Sequence, residues 1–305
     1  MNRIYWVRFI CAFFPPIMTQ TIRDRLMSVR EAEKMALPFR RRAFTGSYFQ
    51  GNTSDFHAFK FLIHGYFDWR NVVLAKKIIR FKKGDLVEVG ANIGTETIGL
   101  ADLDPNRAVY AFEPLPSNFE SLQQIKEHNG LGNLRLFNTL VSKERGEAFF
   151  KIPAQNSSGS GHITSDTNKE TQRFEVVTLD DTLEDAKDVA AVIADVEGYE
   201  PQVLAGAETI LKKYNPFLIL EVNERFLRER GQTSVEEFYT YLEDRGYHCY
   251  YIERMGLKKV NAPHFETKTN KNWLCIPTEF HKKKSKLSRA IRHNALNPFI
   301  RYFVI

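Results

Sequence analysis

The sequence predicts a doubly wound α/β fold built on a mostly parallel sheet of seven strands. Three observations predict it. Short apolar runs alternate with helical patterns from residue 85 to residue 245, the arrangement of parallel crossover units. The first run ends in a glycine turn, Gly90-Ala91-Asn92-Ile93-Gly94, with the acidic Glu88 just before it. The second ends in another acidic residue, Glu113, 23 positions after Gly90. A strand, a glycine turn, a helix and a strand closed by an acid outline a nucleotide-binding unit.

The elements follow in order. Strands are expected at 85–89, 108–112, 134–138, 189–194 and 217–222, with helices at 93–103, 116–129, 199–214 and 234–245. Pro116 opens the second helix at a position where no N–H donor is needed. Ser234 with Glu236 and Glu237 marks the start of the last. Residues 248–253 and 271–276 supply two final strands as an antiparallel pair. Residues 147–153 and 174–179 read as β segments around a polar, glycine-rich insert at 156–162, NSSGSGH. Upstream, 53–81 mixes aromatics with a helical run at 71–80 and is expected to form a lid or entry helix preceding the sheet, most of its aromatics lying in the core.

A chain of 305 residues, 43% hydrophobic and 13% aromatic, buries one large core. Cys11, Cys249 and Cys275 are odd in number and far apart in sequence. They support neither a disulfide framework nor a closely spaced metal site, and predict buried thiols in a reducing, cytoplasmic compartment. The net charge of +6 is unevenly spread: residues 1–42 carry +6, residues 278–305 carry another +6, and the middle carries −6. The basic balance therefore describes the two ends, and the acidic middle argues against nucleic acid as a partner.

Three regions are expected: a helical, basic extension at 1–80, the main domain at 81–277, and a basic amphipathic tail at 278–305. Residues 4–14 are apolar but interrupted by Arg8 and stopped by Pro15-Pro16, too short to span a bilayer and without a clean cleavage site. A short charged helix is expected at 23–35, followed by the cluster Arg40-Arg41-Arg42. The last 25 residues interleave basic side chains with Leu287, Ile291, Leu296, Phe299, Ile300 and Phe303. Such ends suit the anionic inner face of a membrane; the competing reading is solvated tails, or ends packed on a partner subunit. Oligomeric state is not legible.

Gly90 and Gly94 let the chain turn tightly and admit a ligand to the backbone, and the next helix offers its free N–H groups. A dinucleotide fingerprint has a middle glycine where this chain has Asn92, which disfavours a dehydrogenase. Pyrophosphate has no use for a carboxylate at Glu88, whereas a ligand bearing an amino group and a sulfonium does. Glu113 is placed for ribose hydroxyls. Together these residues favour S-adenosylmethionine.

Further motifs extend the pattern: YAFEPLPSNFESL at 110–122, Val141-Ser142, TLDD at 178–181, ADVEGYEPQVLAGA at 194–207 and PFLILEVN at 216–223. With VEVGANIGTET at 87–97 they resemble, in order, the FkbM-type S-adenosylmethionine-dependent methyltransferases, which have a Rossmann-like class I fold. Two departures are Glu88 in place of the commoner aspartate and Ala194 where the family more often has lysine. The resemblance implies that Glu88, Gly90, Asn92, Gly94 and Thr95 surround the methionine portion of the cofactor. It further implies that Glu113 holds the ribose, that Pro114, Asn118 and Ser142 border the adenosine, and that Asp195 and Glu197 lie nearest the reacting methyl. It also implies O-methylation of a sugar hydroxyl in a glycolipid, polysaccharide or related glycan.

An alcohol is a poor nucleophile, so a base is expected. The candidates are Asp195, Glu197, Glu221 and His162, with Asp195 favoured; Asp195 alternatively caps the next helix. A divalent cation on Asp195, Glu197 and Glu221 is a further alternative, though no metal is assigned. Nucleic-acid methylation, a small-metabolite acceptor and a non-catalytic cofactor-binding module remain the rival functions.

Overall fold

The computed structural model describes residues 3–152, 158–159, 161–164 and 170–300. Helices α1 (Arg3–Ala12), α2 (Pro16–Leu26) and α3 (Val29–Met35) precede a hairpin of β1 (Pro38–Arg42) and β2 (Tyr48–Asn52), then α4 (Phe56–His64) and α5 (Trp69–Ile78). The helix expected at 23–35 is thus two, because Met27 is extended and Ser28 with Glu31 forms a capping box that starts α3 afresh. The arginine cluster lies in β1, in a hairpin the sequence pattern did not announce.

The main unit then runs β3 (Asp85–Val89), α6 (Thr97–Ala101), β4 (Val109–Phe112), α7 (Pro116–Asn129), β5 (Leu134–Phe137), β6 (Leu140–Val141), β7 (Gly146–Lys151), β8 (His162–Thr164) and β9 (Thr171–Val177). It continues with α8 (Leu179–Thr182), β10 (Val189–Ala194), α9 (Glu200–Ala205), α10 (Glu208–Tyr214), β11 (Phe217–Val222), α11 (Glu224–Glu229), α12 (Val235–Asp244), β12 (Tyr247–Glu253), β13 (Gly256–Lys259), β14 (Lys271–Pro277) and α13 (Lys284–Leu296).

One sheet has the order β5-β4-β3-β10-β11-β14-β12-β13. Its first five strands are parallel and the last three antiparallel. This is the Rossmann-like class I arrangement, with the order reversing between β3 and β10, where ligands of such sheets bind. It has eight strands instead of seven, because β12 turns back at Glu253 and Gly256 into the short, lysine-bearing β13. A second sheet, β6-β9-β7-β8, contains the β segments expected around the insert. Asn156, Ser157 and Ser160 of that insert lie outside the described residues.

Two helices are shorter than expected. The first is confined to Thr97–Ala101 because Gly90, Asn92 and Gly94 all have positive φ and prolong the turn. The helix expected at 199–214 is divided at Gly206-Ala207, where the Asp180 carboxylate accepts the Thr209 and Ile210 N–H groups, each at 2.9 Å, and so starts α10 independently.

Alternation along β3 sorts the core into two layers: Leu86 faces α5 and α13, while Val87 and Val89 face α9 and α12. Val72, Leu74 and Ile78 of α5 and Leu287, Ile291 and Ala295 of α13 are buried in the first layer. The separations expected at residues 80 and 277 therefore fall inside one continuous core. Most of the apolar side of the C-terminal segment is used there, Leu296 and Phe299 alone of its named apolar residues staying exposed; Phe303 lies outside the described residues. Cys249 and Cys275, distant in sequence, face each other across β12 and β14 with sulfurs 3.5 Å apart, both free and buried.

If 278–300 belongs to the core, Leu287→Ala should destabilise the protein by about 2–5 kcal/mol, the cost of a buried leucine cavity. A denaturation midpoint unchanged by that substitution would return the segment to a detachable tail.

Candidate active site

A cavity of about 460 Å³ opens at the carboxyl ends of β3, β10 and β11, lined by Glu88 of β3, Asp195 just past β10 and Glu221 of β11. Its shape begins with Gly90. At φ 86° this residue lies so close to Asp195 that a Cβ would collide with the Asp195 carbonyl oxygen. The N–H groups of Gly90 and Ala91 both donate to the Phe112 carbonyl at 3.0 Å, tying the turn to β4. Asn92 follows at φ 50°, in the left-handed region that asparagine tolerates. It is held by Glu113, whose Oε2 accepts the Asn92 N–H at 2.8 Å while Oε1 accepts the Leu115 N–H at 3.0 Å.

The cavity is rich in buried carboxylates. Burial, before the charges of Asp195 and Glu113, pushes Glu88 up to about 8. Glu96 is raised too, by burial and then by Glu88. Glu113 is pushed up to about 7 by burial, against its backbone and Asn118 hydrogen bonds. Burial, then Asp195 and Glu197, push Glu221 up to about 10, so at neutral pH it is held in the protonated form. Burial raises Asp195 as well, and the bond from Glu221 opposes that rise.

Glu197 stands at φ 57°, raised to about 7 by burial and Asp195 despite Arg230, whose Nη1 lies 3.3 Å from its Oε2. Asp195 does not cap the helix after it. The buried Glu200 takes the Val196 N–H at 3.0 Å, and α9 has no side-chain cap.

The opposite wall comes from upstream. Phe56, His57 and Lys60 of α4 line the cavity, with Phe67 and Asn71. Burial drives His57 down to about 4, so it is neutral, with Nδ1 3.4 Å from Ser158 Oγ and 3.5 Å from Asn92 Nδ2. The Lys60 ammonium sits 3.8 Å from the centre of the Phe56 ring and 4.7 Å from that of Phe67.

Of the residues the sequence singled out, Glu88, Gly90, Asn92, Thr95, Glu113, Pro114, Asp195, Glu197 and Glu221 line the cavity. Gly94 and Asn118 stand one layer back. Gly94 lets α7 approach, since a Cβ there would meet Ile125 and Leu122; Asn118 Nδ2 donates to Asn92 Oδ1 at 3.1 Å and to Glu113 Oε1 at 3.3 Å. Ser142 is not at the cavity: its N–H is drawn to the Val177 carbonyl in the second sheet, and Thr139, Leu140 and Val141 line the space instead. His162 pairs with Lys151 in the same sheet and is not a lining residue. Among the described residues no three His, Cys, Asp or Glu side chains form a group that could hold a metal ion. His57, Lys60 and Glu96 were missed. The one signal for the first two was an Asp55-capped helix carrying a histidine, a lysine and phenylalanines within a single turn.

A sequence model described as the Methyltransferase FkbM domain matches residues 88–249. No curated protein matches the chain. Among solved structures it is similar to the methyltransferase FkbM from Methylobacillus flagellatus KT, with 14% identity and a TM-score of 0.44, covering 90% of this chain and 59% of that one. The chain thus spans little more than half the length of that protein. A precorrin-6y C5,15-methyltransferase from Geobacter metallireducens GS-15 is 15% identical over 68% of this chain and 87% of that one, with a TM-score of 0.37. An rRNA methylase from Streptococcus thermophilus is 14% identical over 68% and 94%, with a TM-score of 0.40.

The buried carboxyls fix how stability varies with pH. Glu88, Glu113 and Glu197 hold their protons more tightly folded than unfolded, so their contribution is complete below the ordinary carboxylate range and is lost as pH rises through about 7 to 8. The melting temperature of the ligand-free protein should fall between about pH 5 and pH 9, and Glu88→Gln should flatten the fall, raising it at the alkaline end by about 2–4 °C. A curve that is flat, or that rises, would refute this account of the cavity.

Proposed function

The chain belongs to the FkbM methyltransferase family, and from that membership we propose that it transfers a methyl group to a sugar hydroxyl of a glycolipid, polysaccharide or related glycan. The cofactor is S-adenosylmethionine, which supplies, when bound, an electrophilic methyl on a positively charged sulfur. The residues present fit it. Gly90 brings backbone to the cavity without a side chain, and Glu88 Oε2 and Glu96 Oε1 are buried acceptors with no hydrogen-bond partner, as an ammonium requires. Glu113, in this reading, receives the ribose while holding the turn.

The observation that carries the reading is the convergence of Asp195, just past β10, and Glu221, near the end of β11, on one cavity with Glu88. A hydroxyl becomes a nucleophile as it loses its proton, and a base serves best when its affinity for protons lies near the working pH. Desolvation raises Asp195 from the ordinary carboxylate range, against the opposing effect of Glu221. In the proposed reaction Asp195 takes the hydroxyl proton, and the cavity walls align the acceptor and exclude water.

We further propose that an anionic membrane surface presents the acceptor. Trp6 and Phe9 of α1 and Phe13 just after it are 51%, 54% and 65% exposed, their rings in edge contact. Helix α2 packs against α1 and also against α13, so the two basic ends of the chain lie beside the same element. Aromatic rings beside arginines and lysines suit the interface of an anionic bilayer. Among the described residues no helix is long and apolar enough to cross one.

Asp195→Asn should leave cofactor affinity within about twofold and lower turnover by about 10²–10⁴-fold, the usual worth of a positioned base; the assay is label transfer from S-adenosylmethionine to host glycolipid and polysaccharide extracts. Ordinary turnover in that variant removes Asp195 as the base, and label in neither extract refutes the glycan reading. Membrane docking has its own reporter, because Trp69 and Trp273 are buried. Vesicles containing phosphatidylglycerol should shift tryptophan emission to the blue, and Trp6→Phe should abolish the shift; no shift with wild-type protein would overturn the docking.

A further inference from the structure

Lys60 is the only lysine or arginine among the described residues lining the cavity, whose other lining residues include Glu88, Glu96 and Asp195. It makes no ion pair of its own within the described residues. The two acids nearest in charge are already engaged: Asp68 is clasped by the Arg70 guanidinium, and Asp24 by Arg23 at 2.7 Å. The ammonium instead rests between the Phe56 and Phe67 rings, which stabilise a cation without neutralising it. Burial, followed by the charge of Arg23, lowers Lys60 only to about 8, so the charge is present at neutral pH.

A partly buried cation left without a counter-ion costs free energy that an anionic ligand group would recover. The ligand that satisfies this cavity therefore offers positive charge to the carboxylates and negative charge to α4. Asn71 strengthens the placement: its Nδ2 donates to Glu96 Oε2 at 3.2 Å, which puts the lysine wall and the unpartnered glutamates at one end of the cavity. Residue 60 lies outside the 88–249 match, so this group is not part of the matched domain.

We propose that Lys60 is a carboxylate-binding residue of the cavity, a role that rests on the methyl-transfer reading of the site. Two molecules can bring that carboxylate: the amino-acid end of the cofactor, or an acidic sugar serving as acceptor.

Calorimetry on the full chain separates them. S-adenosylhomocysteine carries the carboxylate; 5′-methylthioadenosine shares its nucleoside and lacks the amino-acid end. If the cofactor supplies the carboxylate, Lys60→Met should weaken S-adenosylhomocysteine binding about tenfold or more, leave methylthioadenosine unchanged, and be largely rescued in Lys60→Arg. If the acceptor supplies it, both nucleosides bind Lys60→Met normally, and protein saturated with S-adenosylhomocysteine binds methyl glucuronide in preference to methyl glucoside only when Lys60 is present. A variant matching wild type in both arms, or one weakened equally toward both nucleosides, overturns the proposal. Wild-type protein that binds neither nucleoside overturns the methyltransferase reading, and this role with it.

Discussion

No side chain fits at position 90, because the carbonyl oxygen of Asp195 occupies the space it would need. That close approach holds the ends of β3 and β10 together where the strand order reverses. Gly90 and Ala91 then share the Phe112 carbonyl, Asn92 is forced into the left-handed region, and Glu113 pins its N–H. One backbone contact therefore determines that Glu88, Glu113 and Asp195 occupy the same small volume. A larger residue at position 90 would disturb the strand ends, the turn and the carboxylates together.

Crowding acids into a buried space is unfavourable unless something neutralises them, since each desolvated ion costs several kcal/mol. The protein does so with protons. Glu221 keeps its own, and Glu88 and Glu96 are shifted toward the neutral form. A cationic ligand takes over that neutralising role, which makes cofactor affinity and proton release two aspects of one equilibrium. The left-handed backbone at Asn92 and Glu197 is a second local cost, borne by tight hydrogen bonding around both residues.

Much of the sheet was legible because its signals are local. The strands at 85–89, 189–194 and 217–222 and the helix at 116–129 are where periodicity and Pro116 put them. The carboxylates at strand ends were legible for the same reason: Glu88, Asp195 and Glu221 each close an apolar run. What failed depended on distant partners. Ser142 was expected to border the adenosine; its N–H donates to Val177, 35 positions away, and it does not line the cavity. The helix at 199–214 breaks because of Asp180, and α13 is amphipathic because it covers the sheet, a pattern sequence does not distinguish from one that covers a membrane. His57 and Lys60 carried too little local signal, since a phenylalanine-rich helix reads as core whether or not one edge faces a cavity.

The family match covers 88–249, but the cavity does not end there. The glycine turn, Glu113, Asp195 and Glu221 come from the matched region. Phe56, His57, Lys60 and Asn71 come from residues upstream of it and form the facing wall. That wall is no loose appendage. Val72, Leu74 and Ile78 of α5 are buried against the sheet, and α4 is anchored by Phe59, Phe61, Leu62 and Ile63 in a cluster that also includes Ile98 and Ile125 of the matched region. One side of α4 thus lines the cavity while the opposite side is fixed in the core.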